Sequence, residues 1–428
     1  MNTRVSFYTL GCRLNQAETA ILQRSFEQEG YRVVDFRHPA DVVVINTCTV
    51  TENGDADTRK IVNKINRTNP EAKIALVGCQ AQIQREKLLE LSNVHWVVGN
   101  ARKMDLAAVL RESADMPEAQ VVTPVITRES FTLPVAGVDR QHTRANLKIQ
   151  DGCDFFCSFC VIPYARGRAR SREYSDIFSE ARQLLAAGHR EIVLTGINVG
   201  TYRQDDKTIL DVIDDMLQLD GLERLRISSI EPTTIPQSVI NRMSENLALC
   251  RHLHIPLQSG SDQILKAMNR HYTAAEFADF IRHAHNSAPG ICLGTDVMVG
   301  FPGETDAGFE ETYHFLLDLP LAYFHVFSYS ERPGAKSRKL ENPVPQNVIE
   351  RRSRKLRELS ARKRRVFMEQ NLGSVQTVLF EQIKKGYWNG LTDTYIRVKV
   401  KSDADLHNRL LPVKLEEIDN NSMMGTLL

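Results

Sequence analysis

Apolar residues in the first hundred positions fall into short solid runs, and the polar stretches between them carry helical spacing. "RVSFYTLG" (4–11) predicts a strand, and "NQAETAILQRSFEQEG" (15–30) predicts a helix with a stop glycine. "ADVVVINT" (40–47) reads as a second, buried strand, followed by a polar helix through Lys60 and Asn66. "AKIALVG" (72–78) is a third, followed by a helix from about Gln82, and "VHWVVGN" (94–100) is a fourth. Solid strands alternating with helices imply a parallel sheet covered on both faces. Residues 115–143 break the pattern with three prolines and no long helical period, as a linker or hairpin does. The alternation then resumes through "RANLKIQDG", "EIVLTGINVG", "LRISSIEP", "HLHIPLQSGSD" and "GTDVMVGFPGET", which implies a partial or full α/β barrel. After Gly373 the period shortens to alternating strands, the pattern of a small β-barrel. The expected fold is therefore α/β in three parts: residues 1–114, then 144–366 beyond the 115–143 linker, then 367–428.

The 428 residues exceed one ordinary domain, and 42% hydrophobic with 25% charged residues describes a globular protein with sizeable cores. No apolar run approaches the ~18 residues a membrane span needs. The start, "MNTRVSFYTLGC", lacks the apolar stretch of a secretory signal. Eight cysteines without an export signal point to a reducing cytoplasm, where patterned cysteines bind metal or do chemistry more often than they pair. A net charge of +1 identifies no partner.

The cysteines change the picture. Cys12, Cys48 and Cys79 each sit just after a strand, in "TLGC", "INTC" and "LVGC". Strands of a parallel sheet all open their C-terminal ends onto one edge, so three cysteines distant in sequence arrive together. Cys250 and Cys292 have no such company and read as core residues. Cys153, Cys157 and Cys160 follow the spacing C-x3-C-x2-C in "GCDFFCSFC". A zinc ribbon would need a second close pair, and none follows. Redox use or coincidence is a second reading. An iron–sulfur cubane on three thiolates, with one iron left for another ligand, is the third.

That spacing resembles the signature of radical S-adenosylmethionine enzymes. "GCRLNQAE", "NTCTV", "VGCQAQ", "QDGCDFFCSFCVIPYARG", "SSIEP", "HIPLQSGS" and "VGFPGET" together resemble the methylthiotransferases of that group, across essentially the whole chain. The resemblance implies two 4Fe-4S clusters and S-adenosylmethionine as cofactors. Cys12, Cys48 and Cys79 would hold an auxiliary cluster that carries the sulfur to be donated. Cys153, Cys157 and Cys160 would hold the cluster that activates S-adenosylmethionine. Phe159, Gly196, Asn198, Ser229, Glu231, Gln258 and Asp296, beside the cysteines or at strand C-termini, are the further expected cofactor-facing residues.

Residues 351–365, "RRSRKLRELSARKRR", place nine basic residues against one acid, Glu358; a solvated helix face is one reading, and a phosphate-binding surface is the better one. The last segment resembles the TRAM module, an RNA-binding barrel, in which Tyr387, Trp388 and Tyr395 read as exposed aromatics that either stack on bases or pack the barrel, the two readings being about equal. "GCRLNQAET" and "KIQDGCDFFCSFCVIPYARG" look most like the branch acting on N6-threonylcarbamoyladenosine beside the tRNA anticodon. The expected reaction replaces the adenine C2 hydrogen with a methylthio group, with the anticodon stem-loop as partner and flavodoxin or ferredoxin as electron donor. The threonylcarbamoyl carboxylate invites an Arg or Lys in the pocket. The alternatives are isopentenyladenosine in tRNA, a ribosomal-protein aspartate, or a non-catalytic RNA-binding metalloprotein.

Overall fold

Six parallel strands build the first sheet, in the order β2-β1-β3-β4-β5-β6. They are β1 (Arg4–Thr9), β2 (Arg32–Val33), β3 (Val42–Thr47), β4 (Lys73–Gly78), β5 (Val94–Val98) and β6 (Gln120–Val122). The structure is a computed structural model that describes residues 3–49, 52–113, 116, 118–134 and 143–428. Alternate residues of β3 enter opposite cores: Val42 and Val44 pack with Phe7 and Trp96, Val43 and Ile45 with Ile74 and Leu76. Burial on both faces is why these strands read as solid apolar runs. β2 is two residues long, and β6 lies in the proline-rich stretch, so neither carries a readable period. That stretch also ties down elsewhere, because the Phe131 amide donates to the Ser171 carbonyl (3.2 Å). Its residues 135–142, part of the expected linker or hairpin, lie outside the described residues.

The central part has two three-stranded parallel sheets. β7 (Arg144–Lys148), β8 (Glu191–Thr195) and β9 (Arg224–Ile227) form one; β10 (His252–His254), β11 (Cys292–Val299) and β12 (Tyr323–Ser328) form the other. Single bridges Leu225–Leu249 and Ser229–His254 join β9 to β10, giving one curved row of six strands. Among the described residues no pairing closes β12 onto β7, so the barrel is partial. The helix Arg13–Gln28 of the first unit packs against β7 at the open side. Beyond β12, the helix Gln346–Glu369 lies along that strand, with Ser360 Oγ donating to the Phe324 carbonyl (2.7 Å). A closed barrel follows, of β13 (Val375–Lys384), β14 (Tyr387–Thr392), β15 (Arg397–Val400), β16 (Leu410–Asp419) and β17 (Ser422–Leu427). It docks on β9 through Arg224, which donates to the Leu391 carbonyl (2.9 Å), and Arg226, which donates to that of Asp393 (2.8 Å). Among the described residues no helix is long and apolar enough to cross a membrane.

A buried ionic knot joins the first unit to the second. Glu18 accepts from Lys103 (2.5 Å), from Lys148 (2.7 Å) and, through both oxygens, from Arg166 (3.0 Å each). Asp151 pairs with Lys148 (2.7 Å) and Arg166 (3.0 Å), and Arg166 also donates to Asn15 Oδ1 (2.6 Å). Glu18 and Arg166 are each 1% exposed. Burial opposes the charge on Glu18, yet Arg166, Lys103 and Lys148 hold it well below the usual carboxylate range. Leaving such cations unpaired costs more than the pairs contribute, because each has already lost its water.

Glu18→Gln is therefore expected to destabilise the protein by about 3–5 kcal/mol, measured as urea unfolding at neutral pH. A second buried carboxylate, Glu191, is held at about 2 against an ordinary 4.5: burial raises it, and Arg226 and Arg144 lower it further. Its lowered value makes it stabilising above pH 4.5, with the stabilisation lost as pH falls from there toward 2. In Glu191→Gln this part of the acid sensitivity is expected to disappear from the pH–stability curve.

Candidate active site

Two loops reach the first three cysteines by way of glycine. Gly11 has φ +93°, and a Cβ there would lie 2.7 Å from Cys48 Cβ and 2.8 Å from its Sγ. Gly78 has φ +100°, with Asn46 Oδ1 2.7 Å from where a Cβ would stand. Left-handed backbone and close approach both demand glycine at these positions. Cys12 then caps the helix Arg13–Gln28, and Cys79 opens the helix Cys79–Gln84 instead of lying in a loop before it. Cys12, Cys48 and Cys79 all line one cavity of about 390 Å³. It lies where the three units meet, with Gly196, Ser229 and His254 from the partial barrel and Tyr395 from the small barrel also in its wall. Asn100 Nδ2 is 3.6 Å from Cys79 Sγ and donates to the Ala165 carbonyl (2.7 Å). Cys12 keeps an exposed face, while the protein crowded around it pushes its thiol above the ordinary value. The ionic knot stands beside this trio with Lys103, Lys148 and Arg166 against Glu18 and Asp151, an excess of positive charge.

The second trio lies in loop 152–160, which is pinned at several points. Cys153 N donates to the Gly167 carbonyl (3.1 Å) and Ser158 N to that of Met268 (2.9 Å). Gly152 has φ +71°, and a Cβ there would fall 2.0 Å from the Arg168 carbonyl oxygen. Two sulfurs receive N–H groups: Cys160 from Ile162 N (3.4 Å) and Cys157 from Arg270 Nη1 (3.3 Å). Burial pushes the Cys153 thiol up to about 11 and that of Cys160 to about 12. Thiols so raised become thiolates when iron binds, and N–H groups aimed at sulfur are one of the levers proteins use on such clusters. Among the described residues neither trio draws its sulfurs within 4.8 Å of one another, as a single ion would require. Three thiols grouped in this way are the kind of donor set that holds a polynuclear iron–sulfur cluster, and three ligands for four irons would leave one iron to another ligand.

The other expected residues divide. Gly196 and Ser229 line the cavity. Asn198 is buried, with Oδ1 accepting from Thr234 Oγ1 (2.9 Å) and from Glu231 N (3.3 Å), while its Nδ2 has no protein partner among the described residues. Glu231 is gripped by Arg270, the same side chain that donates to Cys157. Gln258 has φ +74° and its N–H donates to the Asp296 carbonyl (2.8 Å), a backbone role. Asp296 Oδ1 lies 2.9 Å from His254 Nε2, and His254 Nδ1 lies 3.3 Å from the Tyr323 hydroxyl. His254, Asp296 and His325 bring ligand atoms within 4.8 Å of one another, and both ring nitrogens of His254 have hydrogen-bond partners. Phe159 packs beside Ile264, Met268 and Phe301 in a small apolar cluster. Cys250 and Cys292 are buried core residues with thiols pushed up to about 12 by burial. Sequence reasoning missed Arg13, Arg166, Arg226 and Arg270. Only Arg13, adjacent to Cys12, carries a local signal.

The C-terminal expectations need two corrections. Tyr395 does not stand on the barrel surface: it reaches into the cavity and stacks on His252, ring centroids 4.4 Å apart. Trp388 packs against the barrel core, and Tyr387 is half-buried. The basic helix is also partly neutralised or tied down against its neighbours. Arg352 pairs with Glu304 (2.6 Å) and Asp306 (2.8 Å), Lys355 with Glu310 (2.7 Å) and Arg365 with Glu369 (2.9 Å). Lys363 donates to the Leu317 and Leu319 carbonyls, and Arg362 to the Tyr313 hydroxyl. Like Arg362 and Lys363, Arg354, Arg357 and Arg364 have no carboxylate partner among the described residues. They repeat at helical spacing along the flank of β12, where Arg357 and Arg364 line a shallow groove with His325 and Phe327.

Comparison with known proteins follows these features. A family model described as uncharacterized protein family UPF0004 matches residues 4–99, and one for the radical SAM superfamily matches residues 147–316. A threonylcarbamoyladenosine tRNA methylthiotransferase, MtaB, from Aquifex aeolicus is 38% identical over 402 residues, covering 92% of this chain and 96% of its own. A protein of the same name from Bacillus subtilis is 38% identical over 427 residues, covering 96% and 93%. Among solved structures, the radical S-adenosylmethionine methyltransferase TsrM of Kitasatospora setae matches with TM-score 0.58 at 17% identity, over 76% of this chain and 73% of that one. That last likeness is one of fold.

Proposed function

The chain belongs to the methylthiotransferase family of radical S-adenosylmethionine enzymes, and from that membership we infer that it converts N6-threonylcarbamoyladenosine in tRNA to its 2-methylthio derivative. Its cofactors are two 4Fe-4S clusters and S-adenosylmethionine. When bound, they would supply the radical that opens the adenine C2–H bond, the sulfur that replaces the hydrogen and, from S-adenosylmethionine, the methyl group on that sulfur. The observation that carries the reading is the shared cavity, where three cysteines on one sheet edge face the strand ends of the partial barrel.

Cys153, Cys157 and Cys160 are assigned to the cluster that binds S-adenosylmethionine, and Cys12, Cys48 and Cys79 to the sulfur-donating one. Arg270 ties Cys157 to Glu231 and so fixes the radical loop against β9 and β10. The buried cations Lys103, Lys148 and Arg166 offset the negative charge of a thiolate-ligated cluster beside Cys12 and Cys79. The target adenine must leave the anticodon stack to enter the cavity, which a loop nucleotide does more readily than a paired one. Arg354, Arg357 and Arg364 offer the phosphate track leading there. A flavodoxin or ferredoxin supplies electrons, and the cytoplasm is the place of action. A non-catalytic RNA-binding metalloprotein would have no use for a second open cysteine trio.

Four experiments test this. Nucleoside analysis of tRNA from cells lacking the protein is expected to show threonylcarbamoyladenosine without its methylthio derivative, and re-expression to restore it. A loss confined to methylthio-isopentenyladenosine would replace the substrate assignment. Cys48→Ala is expected to lose roughly half of the iron and sulfide, still form 5′-deoxyadenosine with dithionite, and give no methylthio product. Cys157→Ala should form no deoxyadenosine and keep the other half of the iron; near-normal deoxyadenosine would refute the assignment. Replacing Arg354, Arg357 and Arg364 together by Ala is expected to flatten the log–log salt dependence of tRNA binding by about 0.7–0.9 per lost contact. An unchanged slope would place the RNA path elsewhere.

A further inference from the structure

The cavity wall holds three arginines, and they are not alike. Arg13, Arg166 and Arg226 all contribute to that wall. Arg166 is paired with Glu18 and Asp151, and Arg226 with Glu191 at 2.7 Å. Among the described residues Arg13 has no carboxylate partner. Its Nη2 donates to the Tyr395 hydroxyl, and its guanidinium carbon lies 5.7 Å from the centre of that ring. The surrounding protein lowers the guanidinium's affinity for its proton, with Tyr395 offsetting part of that. A half-buried cation so placed is costly unless something anionic arrives to meet it.

Tyr395 is itself tightly held. Its backbone has φ +65°, a left-handed conformation that a tyrosine rarely adopts outside constrained turns. The turn is secured by the Thr392 hydroxyl, which accepts from Ile396 N (2.9 Å), and by the Tyr395 amide, which donates to the Thr392 carbonyl (3.2 Å). His252 stacks on one side of the ring, and Arg226 stands 5.3 Å from its centre. The phenol therefore fixes where Arg13 points. Strained residues that survive in a fold concentrate at binding sites.

We propose that Arg13, positioned by Tyr395, binds the carboxylate of the threonylcarbamoyl group and so sets the enzyme's choice of adenosine substituent. This rests on the substrate reading given above and adds the residue that enforces it. A guanidinium meets a carboxylate through two parallel N–H bonds, a fit that no neutral alkyl substituent offers. An adenosine with an apolar group at the same nitrogen would leave Arg13 desolvated and unpaired, which rejects it more strongly than a missing contact would. The placement also joins two tasks: Arg13 is the residue after Cys12, so recognition of the substituent and presentation of the sulfur share one helix start.

The test compares anticodon stem-loops carrying threonylcarbamoyladenosine, its methyl ester, or unmodified adenosine at the same position. Dissociation constants are measured anaerobically by fluorescence anisotropy with the cluster-loaded protein, and methylthio product is measured on the same preparations. The wild type is expected to bind the acid about tenfold or more tightly than the ester, the effect of one charged hydrogen-bonded pair. In Arg13→Gln that ratio should collapse toward one, with the ester bound no worse than by the wild type. Arg13→Lys should keep part of the preference. A wild-type ratio that persists in Arg13→Gln overturns the proposal. If Arg13→Gln loses iron or secondary structure, Tyr395→Phe decides: a fall of a few fold in the ratio supports the proposal, and an unchanged ratio overturns it. Should the wild type modify only a stem-loop lacking threonylcarbamoyl, the substrate reading fails and this inference falls with it. Where the wild type is active on the acid, the binding ratios bear on Arg13 alone.

Discussion

The buried knot around Glu18 places the first cysteine trio against the partial barrel. Two carboxylates and three cations have given up water together, and the arrangement holds only when each finds its partners. Glu18 and Lys103 come from the first unit, Lys148, Asp151 and Arg166 from the second, so the charges can be satisfied in one relative placement of the two. The same placement sets Cys12, Cys48 and Cys79 before the ends of β8 and β9. Hydrophobic packing alone would tolerate sliding; a bidentate arginine inside protein does not.

The small barrel is fixed by the same kind of chemistry on another face. Arg224 and Arg226 rise from β9, pair with Glu191 and direct their remaining N–H groups to carbonyls of the barrel, at Thr377, Leu391, Thr392 and Asp393. Arg251 adds a pair with Asp393 at 2.8 Å. The barrel thereby becomes a wall of the active site. Burial opposes ionisation of the Tyr395 phenol, but Arg13, Arg144 and Arg226 together hold it below its ordinary value.

The layered α/β plan is legible in the sequence because strands buried on both faces leave unmistakable apolar runs. Both cysteine trios are legible from spacing and from position after strands. β2 and β6 are not, since two or three residues carry no period, and β6 comes from proline-rich sequence. The charge count along 351–365 overstates the free charge because Glu304, Asp306 and Glu310, which pair with Arg352 and Lys355, lie about forty to fifty residues upstream. Tyr395 reads as a surface residue because a strand pattern does not say where the next turn is pressed. Arg270 is invisible for a similar reason: its partners, Cys157 and Glu231, are distant in sequence and meet it only through the fold.

The short helix Ile162–Arg166 has a mechanical consequence. It begins two residues after Cys160 and ends on the arginine that anchors the knot. Five helical residues span about 7.5 Å and resist stretching, because extension would break their backbone bonds. This segment acts as a strut, one end at the second cysteine loop and the other at the charges beside the first trio. Movement of either end is passed along the strut and is not absorbed within it. The two cysteine trios are thus geared to one another, and their separation is set by the protein itself.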